Sequence, residues 1–200
     1  DALAVIQDPR IDIVVETIGG VGVALDLVRA ALAAGKSVVT SNKEMIAKHG
    51  AELFDLAAAS GVDLFFEGAV GGAIPIIRAL KESLEASHLD LVLGIVNGTT
   101  NYILTRMMEE GRPFEEVLAE AQRLGYAEAD PTADVDGLDA RNKLAILCAI
   151  AFGLRASVES IHTEGIRSIT PTDIQYAQQM GYVIKLLALG RRHDGRVELR

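Results

Sequence analysis

"IDIVVETIGGVGVALDLVRAALAAGKSVVTSNK", running from Ile11 to Lys43, decides the fold. Its first ten residues are a β-branched run closed by two glycines, the pattern of a buried parallel strand. "VALDLVRAALAAGK" follows with apolar residues at helical spacing and Gly35 as a stop signal. "SVVT" (Ser37 to Thr40) reads as a second short strand, and helical segments continue to Ser60. "VDLFFEGAV" reads as a third strand. Strand, helix, strand, helix, strand predicts an α/β chain with a partial doubly wound, Rossmann-like parallel sheet.

Outward from this stretch the character changes, and a boundary is expected near Phe66. "IPIIRALKESLEAS" predicts a helix and "HLDLVLGIV" a strand. "TTNYILTRMMEEG" and "PFEEVLAEAQRLG" predict two helices, and another is expected from about Gly137 to Gly153. "TPTDIQYAQQMG" predicts a helix with Thr170 as N-cap and Pro171 at its first position. The final stretch predicts a hairpin turning at Asp194-Gly195. Residues 1–66 thus form the parallel part and 67–200 an α+β domain.

Composition limits what such a chain can do. Half of its 200 residues are hydrophobic and only 4% aromatic, so aliphatic side chains do the packing. A formal net charge of −9, with no basic stripe, argues against a nucleic acid or an anionic membrane as partner. No uninterrupted apolar run reaches the ~18 residues of a membrane span, and a soluble, cytoplasmic protein is expected. Cys148, the single cysteine, lies in the apolar run "LAILCAIAFG" and predicts an inert packed thiol.

Four stretches carry chemical potential. Lys43, in "TSNK", sits at the carboxyl end of a parallel strand, the edge where open α/β sheets bind ligands. A solvated surface lysine has the same signature. "FFEGAVGGAIP" sets glycines beside Glu67; its oxygens suit a hard cation, and a tight turn explains the glycines equally. "GIVNGTTNYIL" places a Thr/Asn cluster at a strand end, where helix capping by Thr99 or Thr100 is sufficient reason. In "YAEADPTADVDGLDARNKLAIL" the carboxylates Glu128, Asp130, Asp134 and Asp136 precede a helix carrying Asp139 and Lys143. The last two are i and i+4, on one face, within a helix apolar enough to be buried. A partly desolvated lysine held by a carboxylate is a sound general acid and base. Carboxylates nearby, Asp134 among them, can hold a substrate ammonium group.

Together "VETIGG", "SVVTSNKEMIAKHG", "FFEGAVGGAIPII", "GIVNGTTNYILTRM", "LGYAEADPTADVDGLDARNKLAIL" and "QQMGYVIKLLALGRR" resemble homoserine dehydrogenase, in that family's order and over nearly the whole chain. The resemblance implies NAD(P)-dependent interconversion of L-homoserine and L-aspartate 4-semialdehyde, on the route to threonine, methionine and isoleucine. It implies that 1–66 is the rear of an NAD(P)-binding domain and 67–200 a catalytic, substrate-binding and dimerisation domain. Lys143 resembles the family's proton donor, Asp139 its substrate-contacting partner and Glu128 the acid that binds the homoserine amino group. Lys43 resembles the lysine near nicotinamide and substrate. Thr17, Ile18, Gly19 and Gly20 resemble the strand end that contacts the cofactor, and Gly125 falls where backbone approaches it. Glu67, Val70, Gly72 and Ile74 match a monovalent-cation loop for sodium or potassium. A homodimer is implied.

The family's N-terminal glycine-rich βαβ unit and its C-terminal return to the nucleotide domain lie outside these residues. "GVGVAL" (Gly20 to Leu25) has leucine where a third phosphate-loop glycine belongs, and reads as a strand-to-helix turn. The chain therefore reads as a fragment, expected by itself to bind NAD(P) weakly and to associate through the β-branched edge strand. A catalytically silent dimerisation or regulatory module is the alternative. A phosphorylating semialdehyde dehydrogenase would need an exposed thiolate, which Cys148 suits badly.

Overall fold

The computed structural model describes all 200 residues, which cluster into two compact units. The first comprises Asp1–Leu89 and Ala145–Val158, the second Asp90–Leu144 and Glu159–Arg200.

In the first unit, helix α1 (Ala2–Gln7) is N-capped by Asp1 and leads to β1 (Ile13–Glu16). Helix α2 (Gly22–Ala33), β2 (Ser37–Thr40), α3 (Lys43–Ser60) and β3 (Leu64–Phe65) follow. The strands are parallel in the order β1-β2-β3, as the opening stretch predicts, but β1 is an edge strand with only Glu16 buried, not the buried strand its β-branched run suggests. Val38 and Leu64 are buried on one face, while α2 and α3 pack on each other and against the strands. Val15, Val39 and Phe65 are in register on the opposite face and are 65%, 36% and 52% exposed. Lys36 is buried, and its ammonium donates to the carbonyls of Asp8 and Ile11, fastening the segment before β1.

Two predictions are corrected here. The third strand is only two residues long, because the chain winds into a 3₁₀ turn at Glu67–Ala69. The helix expected across "IPIIRALKESLEAS" shrinks to α4 (Ile76–Arg78) and a wider π turn, Ala79–Ser83. Residues 81–88 are all exposed, so no buried face sustains a regular helix there.

The second unit opens with β4 (Leu91–Gly94), α5 (Gly98–Glu110) and α6 (Phe114–Arg123). A short helix inside the acid turn, α7 (Thr132–Val135), was not expected; α8 (Leu138–Phe152) was. Residues 138–144 of α8 belong to this unit and 145–152 to the first. Then come α9 (Pro171–Gln179), β5 (Ala188–His193) and β6 (Arg196–Leu199). Thr170 and Asp173 form a reciprocal capping box on α9, with Pro171 at its first turn as predicted. The sheet is antiparallel in the order β4-β5-β6. Its hairpin turns at Asp194 (φ 48°) and Gly195 (φ 73°), the two positive φ values that a tight type I′ turn demands. Ile103, Leu104 and Met107 of α5 pack with Phe114, Val117 and Ala121 of α6, and with Val135, Ile166 and Ile174, as this unit's core.

Candidate active site

The second unit delivers the predicted lysine–carboxylate pair. The Lys143 ammonium lies 2.7 Å from Asp139 Oδ2 and donates to the Val96 carbonyl at 2.7 Å. Asp139 is 3% exposed and the Lys143 side chain 17%, so the pair is largely out of water. Asn97, buried at the end of the β4 segment, completes the arrangement. Its Nδ2 donates to Asp139 Oδ2 at 2.9 Å and to Asp134 Oδ1 at 2.6 Å. Its Oδ1 accepts from the Thr100 amide and hydroxyl, both at 2.8 Å, which makes Asn97 the N-cap of α5. Capping by Thr99 or Thr100 is thus corrected: the asparagine before Gly98 does it. The approach of the acid turn to 163–165 needs Gly137 (φ 79°), where a Cβ would stand 2.7 Å from the Glu164 carbonyl.

The acid turn is less crowded with idle charge than its sequence suggests. Asp130 accepts the Thr132 amide, and hydrogen bonds from Thr132 hold its carboxyl below the usual range. Asp136 pairs with Arg167, and Asp134 is half-buried against Asn97. Glu128 has an exposed side chain, while its carbonyl accepts from Gln122. Gly125 (φ 79°) stops α6: the Tyr126 amide returns to the Ala121 carbonyl at 2.8 Å, a Schellman closure.

In the first unit the candidate cofactor residues occupy the carboxyl ends of β1 and β2. Gly19 (φ 80°) and Gly20 (φ 70°) turn the Thr17–Gly20 loop. Nothing lies within 4 Å of where a Cβ would stand on either, so the loop is open to a flat ligand. Asn42 caps α3 by accepting from the Met45 amide, and Lys43, half-buried, is that helix's first residue. Beneath the loop Glu16, 5% exposed, accepts from the Ile18 and Gly19 amides at 2.7 and 2.9 Å. Burial pushes its carboxyl up, but hydrogen bonds from Thr40, the two amides and Asn42 outweigh that and hold it low. Sequence reasoning missed Asn97, Glu16, Thr40 and Asn42. A glutamate ending an otherwise β-branched strand was the available signal for Glu16.

Glu67 also has a structural occupation. Its two oxygens accept the Ile77 and Arg78 amides at 3.0 and 2.8 Å, capping α4. Ala73 takes a left-handed φ of 67° in this loop, and the Ile74 carbonyl accepts from the Ile76 amide. The donors at Glu67, Val70, Gly72 and Ile74 are all oxygen, a set that suits a hard cation.

Cys148 is fully buried, and burial pushes its thiol up to about 12. It offers no thiolate nucleophile.

A parallel-sheet edge carrying a glycine loop, together with a part-buried lysine held by a buried carboxylate, defines an α/β protein with a candidate acid–base pair. A family model described as the NAD binding domain of homoserine dehydrogenase matches residues 1–67, and one described as homoserine dehydrogenase matches residues 75–200. The chain belongs to the homoserine dehydrogenase family. It is 52% identical over 195 residues to the homoserine dehydrogenase of Synechocystis, covering 98% of this chain and 45% of that protein. With the Corynebacterium glutamicum homoserine dehydrogenase, 54% of 189 residues are identical, covering 94% and 42%. The crystal structure of a homoserine dehydrogenase from Thiobacillus denitrificans superposes with a TM-score of 0.97 at 53% identity, covering all of this chain and 46% of that one. A hyperthermophilic archaeal homoserine dehydrogenase in complex with NADPH gives 0.85 at 31% identity, covering 100% and 58%. The chain thus spans about half the length of the curated relatives it matches. No helix is long and apolar enough to cross a membrane.

Proposed function

We propose that this chain supplies the proton-transfer site and part of the dinucleotide site of a homoserine dehydrogenase. The enzyme interconverts L-homoserine and L-aspartate 4-semialdehyde with NAD or NADP as a soluble, cytoplasmic homodimer. The observation that carries the reading is the largely buried Asp139–Lys143 pair, anchored on the Val96 carbonyl and Asn97.

In the oxidising direction Lys143, as the free amine, takes the proton from the substrate hydroxyl; in reverse its ammonium form returns that proton to the developing alkoxide. Asp139 holds the lysine in place, and Asn97 fixes Asp139. When bound, the dinucleotide supplies the hydride acceptor, or the donor in reverse. Thr17, Ile18, Gly19 and Gly20 would present an open backbone edge to its reactive end, with Lys43 beside it and Gly125 at a second backbone approach. The side-chain-free faces of Gly19 and Gly20 support that fit. On this reading residues 1–66 serve the dinucleotide, and 67–200 hold substrate and the dimer contact. The direct test is homoserine-dependent reduction of NAD or NADP by the protein at its relatives' full length.

Glu128 is assigned the substrate ammonium, with Asp134 and Asp139 as neighbouring carboxylates. Its exposed side chain in a turn otherwise occupied by internal hydrogen bonds supports the assignment. Glu128→Leu is expected to raise the homoserine KM by about tenfold or more while the dinucleotide KM stays put. Equal rises in both would make Glu128 a structural residue.

Glu67, Val70, Gly72 and Ile74 would hold a sodium or potassium ion that stiffens the loop before α4. A high-resolution map from potassium buffer should show a site with oxygen ligands only. A water with two or three ordinary hydrogen bonds at that place would remove the ion from the account.

A further inference from the structure

Three polar side chains are buried together at the carboxyl ends of two neighbouring parallel strands: Glu16, Thr40 and Asn42, at 5%, 2% and 8% exposure. Polar groups in such a position are costly unless fully satisfied. These form a continuous chain of hydrogen bonds. The Thr40 hydroxyl donates to Glu16 Oε2 at 2.6 Å and accepts the Asn42 amide at 2.9 Å. Asn42 Nδ2 donates to the Gly20 carbonyl at 2.7 Å, and its Oδ1 caps Met45 at 3.1 Å. Glu16 Oε1 takes the amides of Ile18 and Gly19.

Three ends of this chain land on backbone that the proposed function assigns to the dinucleotide, and the fourth caps α3 at Met45, two residues after Lys43. Ile18, Gly19 and Gly20 are gripped from beneath at three successive residues, and the residue capped into place next to Asn42 is Lys43. The amides of Ile18 and Gly19 are consumed by the carboxylate, so the loop meets a ligand with its other side. There the Ile18 side chain is 63% exposed and the glycines carry nothing. Aliphatic residues at 16 and 40 would pack the strand ends as well, but would leave the two-glycine loop without anchors.

We infer that Glu16 is a positioning residue for dinucleotide binding: it sets the Thr17–Gly20 loop directly and, through Thr40 and Asn42, the start of α3 that carries Lys43. The inference rests on the proposed function, since it takes that loop and that lysine to meet the dinucleotide. It separates the role of the network from a general contribution to folding. A loosened loop weakens the dinucleotide selectively, whereas a loosened fold lowers the active fraction and leaves both Michaelis constants alone.

The experiment is fluorescence titration with NADPH, paired with steady-state kinetics, on the full-length protein and four variants. Glu16→Leu, which removes both acceptors, is expected to weaken NADPH by about tenfold or more with the homoserine KM within about twofold. Glu16→Gln keeps one oxygen for the loop amides and is expected to recover most of that loss. Thr40→Val cuts the crosspiece alone and is expected to fall between them. The double variant Glu16→Leu/Thr40→Val should be no weaker than Glu16→Leu, because the two act in one chain. Should Glu16→Leu fail to fold, Thr40→Val carries the same test. Unchanged NADPH affinity in a folded Leu or Val variant overturns the inference, as do equal rises in both KM values. A wild-type protein that neither binds NADPH nor turns over homoserine overturns the proposed function itself, and the inference with it.

Discussion

Replacing Lys143 by methionine is expected to lower kcat by about 100-fold or more, with homoserine still binding. Methionine keeps the length and apolar stem of the lysine but has no proton to give or take. Since the lysine donates at 2.7 Å to Val96 and pairs at 2.7 Å with Asp139, its position is held without any substrate. A pre-placed base contributes mainly to the chemical step, so the loss belongs in kcat rather than KM. Steady-state kinetics in both reaction directions check this, because the proposed mechanism uses the same group as base in one and acid in the other. Near-normal turnover in either direction would take Lys143 out of the mechanism.

The second large effect concerns stability. Asp139 is 3% exposed, and the Lys143 side chain beside it only 17%. Asp139→Leu leaves a largely desolvated ammonium with the Val96 carbonyl as its remaining anchor. Removing one member of a buried ion pair costs about 3 kcal/mol or more. Urea unfolding of the variant should show that loss as a lower midpoint at an unchanged slope. The double variant Lys143→Met/Asp139→Leu removes both charges and is expected to recover most of the stability while remaining inactive. A double variant as unstable as the sum of its parts would show that the two residues are not coupled.

How far all this could be read from residues alone depended on the range of the interactions involved. The hairpin at Asp194-Gly195 and the capping box at Thr170 are local chemistry, carried by neighbouring residues, and both were legible. So was the Asp139–Lys143 pair, because helical spacing alone puts i and i+4 on one face. The roles of Asn97 and Glu16 were not. Asn97 reaches Asp134 and Asp139 across separations of 37 and 42 residues, and Glu16 reaches Thr40 across 24. No local pattern encodes those meetings. The acid turn misled for a related reason: its charge count was visible, but Asp136 is matched by Arg167, 31 residues on. The helix after Pro75 failed because apolar spacing predicts an amphipathic face, and residues 81–88 find nothing to bury it against. Roles for Glu128, Lys43, Gly125 and the oxygen loop came from the family resemblance. The local geometry by itself gives Gly125 a helix stop and Glu67 a helix cap.

The central claim is that the Asp139–Lys143 pair belongs to a homoserine-oxidising site. It is tested most directly by mixing the full-length protein with L-homoserine and NADP or NAD, and measuring reduced dinucleotide and aldehyde product together. The account predicts stoichiometric formation of reduced dinucleotide and L-aspartate 4-semialdehyde, abolished or nearly so by Lys143→Met. Reduced dinucleotide formed at the same rate by wild type and Lys143→Met, or none formed by a folded wild-type protein, would contradict it.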